Sequence, residues 1–213
     1  IEGTTLTITF GDDNTITSIA KSESNSNAPG GMGGGSTTVD TGTGATTITS
    51  DTEDSNATYA SSSQDENALR IEGSVSYTGD NLTIKKSGDT SNTESSDFYG
   101  LNAGVLSLDG ASTTLSNSTI TTDAQGANGI FVYGEGSSVD VSNTTITTSA
   151  DNSGGIDVTG GASIKANNLN IKTSGNSSAA IRSDRGGGTL DVSNGTYTTN
   201  GTGSPAVYCT ADI

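Results

Sequence analysis

The side chains best suited to chemistry fall into two adjacent columns. Leu106, Phe131, Asp157, Arg182 and Tyr208 follow one another at steps of 25 or 26 residues, and Leu108, Tyr133, Thr159, Asp184 and Thr210 keep the same step two residues later. Aromatic rings stack on the C–H faces of sugars, while carboxylates and guanidinium groups take the hydroxyls. Phe131, Tyr133, Asp157, Arg182, Asp184 and Tyr208 therefore make up a candidate ligand-binding strip for a glycan or polysaccharide. A plainer reading stands beside it, in which these residues pack under a loop from one corner of the repeat or against a following module. Asp157, Arg182, Asp184 and Arg185 also offer the arginine or paired acids that a polysaccharide lyase or hydrolase needs. The same charges can simply pair with one another, so no catalytic residue is assigned and a non-enzyme is expected.

Other chemistry is thinner. Acidic clusters occur at Asp12–Asp13, Asp51/Glu53/Asp54, Asp65/Glu66 and Asp80. Calcium takes six to eight oxygens, which makes Asp51, Glu53 and Asp54 weak metal candidates and Ca2+ the one cofactor to consider. Neither an EF-hand nor a calcium-binding nonapeptide repeat is present, and a solvating acidic surface explains these acids equally well. The chain has no histidine, and its single cysteine, Cys209, falls in an inward column as a small core residue. Lys86 lands on an inward threonine column. It is expected to snorkel outward or pair with an acid, with a crosslink to an Asn or Asp as the third option. Outward threonines at 119/121, 145/147 and 196/198 resemble an ice-binding array, but Asn170 and Lys172 interrupt it, and threonine is a good solvent-facing strand residue in any case.

Bulk composition excludes partners. Eight Lys plus Arg against 24 Asp plus Glu leave a net charge of −16, which argues against nucleic acid and anionic membrane surfaces. No run approaches the ~20 apolar residues of a membrane-spanning helix, so membrane insertion is not expected.

The elements that must position these residues follow from the repeat. Ile120, Ile146, Ile171 and Tyr197 form one column; Val105, Ile130, Ile156, Ile181 and Val207 form another; Leu115, Val141, Ala166 and Val192 a third. Short alternating segments at a period in the twenties mean a solenoid. The expected fold is all-β: a single-stranded parallel β-helix of about 25–26 residues per coil, right-handed by crossover chirality. Each coil has three short strands, such as Gly129–Tyr133, Ser138–Ser142 and Thr144–Thr148. A thin one-dimensional core suits a chain that is only 29% hydrophobic.

The organisation reads as an N-terminal β-hairpin (1–21) capping the first coil, a Gly/Ser/Asn-rich loop (22–36), and a β-helix (37–213) cut short at its C-terminal end. Further coils, a cap or another subunit are expected to follow Ile213, because an open coil leaves strand edges bare. Residues 87–97 interrupt the repeat and are expected to protrude as a loop. Thr46–Thr49 matches the Ser118–Thr121 segment. Asn117, Asn143, Asn168 and Asn194 read as an internal amide ladder. On that ground the Asn-X-Ser/Thr sequences at Asn117, Asn143 and Asn194 are discounted as glycan acceptors.

The frame Gly129-Ile130-Phe131-Val132, Ser138-Val139-Asp140-Val141-Ser142-Asn143, Thr145-Ile146-Thr147-Thr148 resembles the pectin-lyase-like right-handed β-helix repeats of large secreted adhesin-like proteins. Ser96–Gly100, Ala179–Gly187 and Gly203–Tyr208 look like segments of β-helical surface proteins of anaerobic gut bacteria. The resemblance covers most of residues 36–213. It implies a secreted or surface-attached bacterial protein, adhesin-like or carbohydrate-binding, and transfers no catalytic residue. A structural stalk or filament subunit of a larger surface protein is the alternative.

Overall fold

The computed structural model describes the backbone of Thr5–Phe10 and Ile16–Ser22, and residues 39–210 with their side chains. The Asp12–Asp13 pair, most of the expected 22–36 loop and Ile213 lie outside the described residues.

Residues 39–210 form a parallel β-solenoid of about six turns. One face is a seven-stranded parallel sheet running from Thr47–Ile48 through Leu69–Glu72, Val105–Leu108, Ile130–Tyr133, Ile156–Thr159 and Ile181–Ser183 to Val207–Cys209. A ten-stranded sheet forms the remaining wall. In its last two coils the second and third strands run together as Ala162–Thr173 and Gly188–Thr199.

The registers are those of the sequence columns. Val105 pairs with Ile130, then Ile156, Ile181 and Val207. Ile120 pairs with Ile146, then Ile171 and Tyr197. Period-two alternation turns every second residue inward, and the stacked Val, Ile, Leu and Ala form one continuous core with Tyr77 at its N-terminal end. One assignment differs. Ile48 pairs with Ile71 on the seven-stranded face, and Tyr59 is the residue beneath Ile84. The Thr46–Thr49 segment therefore belongs to a different side of the coil from Ser118–Thr121.

The asparagine column also differs. Asn56, Asn81, Asn117, Asn143, Asn168 and Asn194 all adopt left-handed backbone, with φ between 50° and 57°. They sit exposed at a corner, not inside. Asparagine tolerates this region because its short amide bonds locally. The side chains still stack from coil to coil: Asn81 Nδ2 donates to Asn56 Oδ1 at 2.7 Å, Asn168 to Asn143 at 2.9 Å, and Asn117 to Asp80 at 2.6 Å. The reason given for discounting the Asn-X-Ser/Thr sequences at Asn117, Asn143 and Asn194 thus does not hold. The inner ladder is built from serines instead: Ser153 N–H donates to Ser178 Oγ, and Ser178 N–H to Ser204 Oγ, both at 2.9 Å.

Thr5–Phe10 and Ile16–Ser22 pair antiparallel as the expected hairpin. Its second strand lies beside Gly188–Thr199, in the C-terminal coils of the solenoid.

The largest departure is the insertion. It does not protrude. Thr93–Tyr99 forms a helix, α1, that lies back over the seven-stranded face. Asn92 caps its start by accepting from Ser95 N–H at 3.1 Å, and Gly100 ends it at φ 72°. A side chain at Gly100 would also meet Leu106 and Phe131 at under 3 Å. Glycine is thus required both by the left-handed turn and by the close approach of the backbone to the sheet.

Candidate functional site

The helix decides which outward residues remain available. Ala103, Leu106, Leu108 and Phe131, with Tyr133 at the edge, form a second small apolar cluster between α1's connection and the sheet. Phe131 is fully buried. The Tyr99 ring meets Tyr133 edge-on, with centroids 5.4 Å apart at 78°. Thr159 donates its hydroxyl to the Phe98 carbonyl at 2.8 Å. Asp157 is also fully buried. The strip as an exposed surface is therefore corrected: Phe131 and Asp157 pack beneath the inserted segment, because an apolar outward column is a face that some other part of the chain must cover.

Toward the C-terminal coils the helix ends its cover and a cleft opens. Its volume is about 450 Å3, and Asp97, Phe98, Arg182, Asp184, Tyr208 and Thr210 line it together with Asn152 and Ser177. Three of the six expected residues, Arg182, Asp184 and Tyr208, are here together. Tyr208 is 41% exposed. Tyr133 is half-buried outside the cleft.

Arg182 organises the site. Its Nη1 donates to Asp97 at 3.0 Å, its Nη2 to Asp184 at 2.8 Å, and its Nε lies 3.5 Å from Asp157. Burial works against the guanidinium charge, but Asp157, Asp97 and Asp184 outweigh it and hold Arg182 above its usual range. Burial raises the Asp97 carboxyl despite Arg182. It raises Asp157 much further, with Asp184 and Asp97 adding repulsion. Neither Asp157 carboxyl oxygen has a hydrogen-bond partner among the described residues. For Asp184 burial is outweighed: hydrogen bonds from Thr210 and Arg182 hold it below the ordinary carboxylate range. Arg182 also lies 6.0 Å from the Phe98 ring centre and 5.9 Å from that of Tyr208, and Arg185 stacks on Phe98 at 3.9 Å while pairing with Glu94 at 3.1 Å.

Asp97 and Phe98 are residues the sequence reading did not assign to the site. The signal was present in the Asn92 cap, Glu94 in the first turn and Gly100 at the end, a helix signature in the middle of an apparent loop.

The candidate calcium acids do not converge. Along Thr52–Ser55 the alternation sends Glu53 and Asp54 to opposite sides. Asp54 accepts from the Tyr59 hydroxyl at 2.6 Å, and Asp51 from Ser76 N–H at 2.9 Å. Among the described residues, no group of three or more His, Cys, Asp or Glu is placed to hold a metal ion. Lys86 neither snorkels nor pairs directly with an acid. It is 1% exposed, and its ammonium donates to the carbonyls of Ser63 (2.7 Å), Gly88 (2.8 Å) and Ser87. Burial lowers its pKa to about 8, against the through-space pull of Glu66, Asp65, Asp89 and Asp123.

No family model, curated protein or solved structure gives a significant match to the chain. The parallel β-solenoid stands on the structure alone, and the finer pectin-lyase-like and gut-bacterial likeness gains no support from these comparisons.

Proposed function

We propose that this chain is a non-catalytic β-solenoid module that binds glycan in the cleft between α1 and the last coils. The observation that carries the reading is the make-up of that cleft: two aromatic rings, Phe98 and Tyr208, flank an arginine and two carboxylates in about 450 Å3. Such a volume falls within the range of small-ligand sites. The exposed Tyr208 ring offers a stacking face, and Asp97, with one oxygen engaged by Arg182, offers an acceptor for a sugar hydroxyl. Non-catalytic binding is favoured because Arg182 is engaged by three carboxylates and shifted away from any role as a base. The setting we propose is extracellular, secreted or attached to a cell surface, where a polysaccharide or a surface protein is the partner.

The test is a glycan-array and polysaccharide-pulldown screen, with added calcium and with chelator. A specific hit that weakens by about tenfold or more in Tyr208→Ala, with the far-UV spectrum unchanged, supports the site; one aromatic platform is worth roughly that much. A hit untouched by Tyr208→Ala refutes the site. Loss of binding in chelator would return calcium to the acidic loops.

The burial of Phe131 and Asp157 favours a second reading, a structural stalk whose outward aromatics serve packing alone. It predicts a clean negative in the screen and concentration-dependent end-to-end assembly that is lost when residues 205–213 are deleted.

A further inference from the structure

We infer that the cleft selects amino sugars, glycans carrying free ammonium groups, over acidic ones. The inference rests on the glycan reading above and adds the charge of the ligand.

The argument starts from the state of Arg182. A free arginine in a sugar site would attract uronates or sulfates through its bidentate fork. Here that fork is occupied. Nη1 is taken by Asp97, and Nη2 and Nε by Asp184. Asp157 sits behind Nε at 3.5 Å. One cation is thus enclosed by three carboxyl groups, so acidic side chains outnumber basic ones around it. Arg185, the neighbouring cation, is turned to Glu94 and to the Phe98 ring. An incoming carboxylate or sulfate would have to displace Asp97 or Asp184 and leave it uncompensated in a partly desolvated cleft, which is costly.

An ammonium meets the opposite situation. Asp97 has one oxygen engaged by Arg182 and lines the cleft with its carboxylate, while Asp184, whose two oxygens already accept from Arg182, Arg185 N–H and Thr210, adds negative charge through space. Arg185 already covers the Phe98 ring at 3.9 Å, so Tyr208, exposed at the lining, is the ring whose face can attract a further positive charge. The hydroxyl of Ser177 and the amide of Asn152 remain for the neutral groups of the sugar. A net charge of −16 on the chain steers in the same direction.

The experiment is a calorimetric or thermophoretic titration with three hexasaccharides of equal length: fully deacetylated chitosan, its fully N-acetylated counterpart, and oligogalacturonate. The expected order is deacetylated tightest, by about tenfold or more over the acetylated form at low ionic strength, with galacturonate weakest. Raising the salt should weaken the deacetylated arm and leave the acetylated one nearly unchanged. Asp184→Asn should shrink the ratio between those two arms. The salt series on the unaltered protein keeps the inference falsifiable if that variant does not fold. If acetylated or acidic hexamers bind as tightly as the deacetylated one, the charge selectivity is overturned while the glycan reading stands. If none of the three binds in the cleft, as judged by Tyr208→Ala, the glycan reading falls and the selectivity with it.

Discussion

Replacing Arg182 by methionine should destabilise the C-terminal coils in a pH-dependent way. The substitution keeps most of the side chain's bulk and removes the cation from Asp97, Asp157 and Asp184. Removing one partner of a buried ionic group costs about 3–5 kcal/mol, because the remaining charges stay desolvated and unpaired. Asp97 and Asp157 already have raised folded-state pKa values with Arg182 present, burial being the first cause in each. A carboxyl whose folded pKa lies above its unfolded value holds its proton more tightly when folded. Its contribution is therefore full below the unfolded pKa and is lost as pH rises through the folded one. Without Arg182 both shifts grow, and Asp184 loses the two hydrogen bonds from Arg182 that help to hold it low. The penalty should be large near pH 7 and shrink toward about pH 4, as the raised carboxyls of Asp97 and Asp157 take up protons.

Urea unfolding followed by far-UV circular dichroism at both pH values measures this. The near-UV tyrosine signal of the Tyr99–Tyr133 contact reports whether α1 has lifted. Terminal coils of a solenoid can unravel on their own, so the loss should first show as an early partial transition. Asp157→Asn in the same background should recover about 1–3 kcal/mol at neutral pH, the size expected when two residues share one network. A penalty under about 1 kcal/mol at neutral pH, or an equal one at both pH values, would refute the view that Arg182 is the charge holding this network.

Further expectations concern the insertion and the buried lysine. Gly100→Ala places a Cβ at φ 72° and within 2.7–2.8 Å of Leu106 and Phe131. It should cost about 2–4 kcal/mol of strain and overpacking, read as a lowered melting temperature with loss of the Tyr99–Tyr133 signal. An unchanged melting temperature would mean that α1 is not held down at this point. Lys86 falls from 10.5 to about 8 in the folded chain. The unfolded state binds the extra proton between those values, so stability should rise with pH across that window, by up to about 3 kcal/mol at ~1.4 per unit. Lys86→Met should lose that slope and, by leaving the Ser63 and Ser87 carbonyls unpaired while Gly88 keeps its bond from Asn102, cost about 1–3 kcal/mol or more at neutral pH. The difference between the two proteins isolates the contribution of Lys86, and an identical slope in both would sink the assignment.

The solenoid was legible in the chain because its period is a property of local sequence. Ile130, Ile156 and Ile181 repeat at a fixed step, and inward and outward positions follow from alternation alone. The same locality limits the reading. Thr46–Thr49 and Ser118–Thr121 alternate alike, so nothing in four residues says on which side of a coil they lie; pairing with Ile71 decided it. The asparagine column was recognised, but its left-handed backbone turned it to the corner surface.

What the sequence determined by itself, then, is the column to which a residue belongs and the side of the strand on which it stands. What the tertiary structure decided is which outward residues meet solvent. That depends on where an eleven-residue interruption, Ser87–Asp97, comes to rest, and the resting place is set by long-range contacts: Asp97 with Arg182, Glu94 with Arg185, Phe98 with Thr159. These partners are separated by 61 to 91 positions in the chain, beyond the reach of any repeat or motif. One folded-back helix converts Phe131 and Asp157 from candidate ligand contacts into packing, and leaves Arg182, Asp184 and Tyr208 lining a cleft.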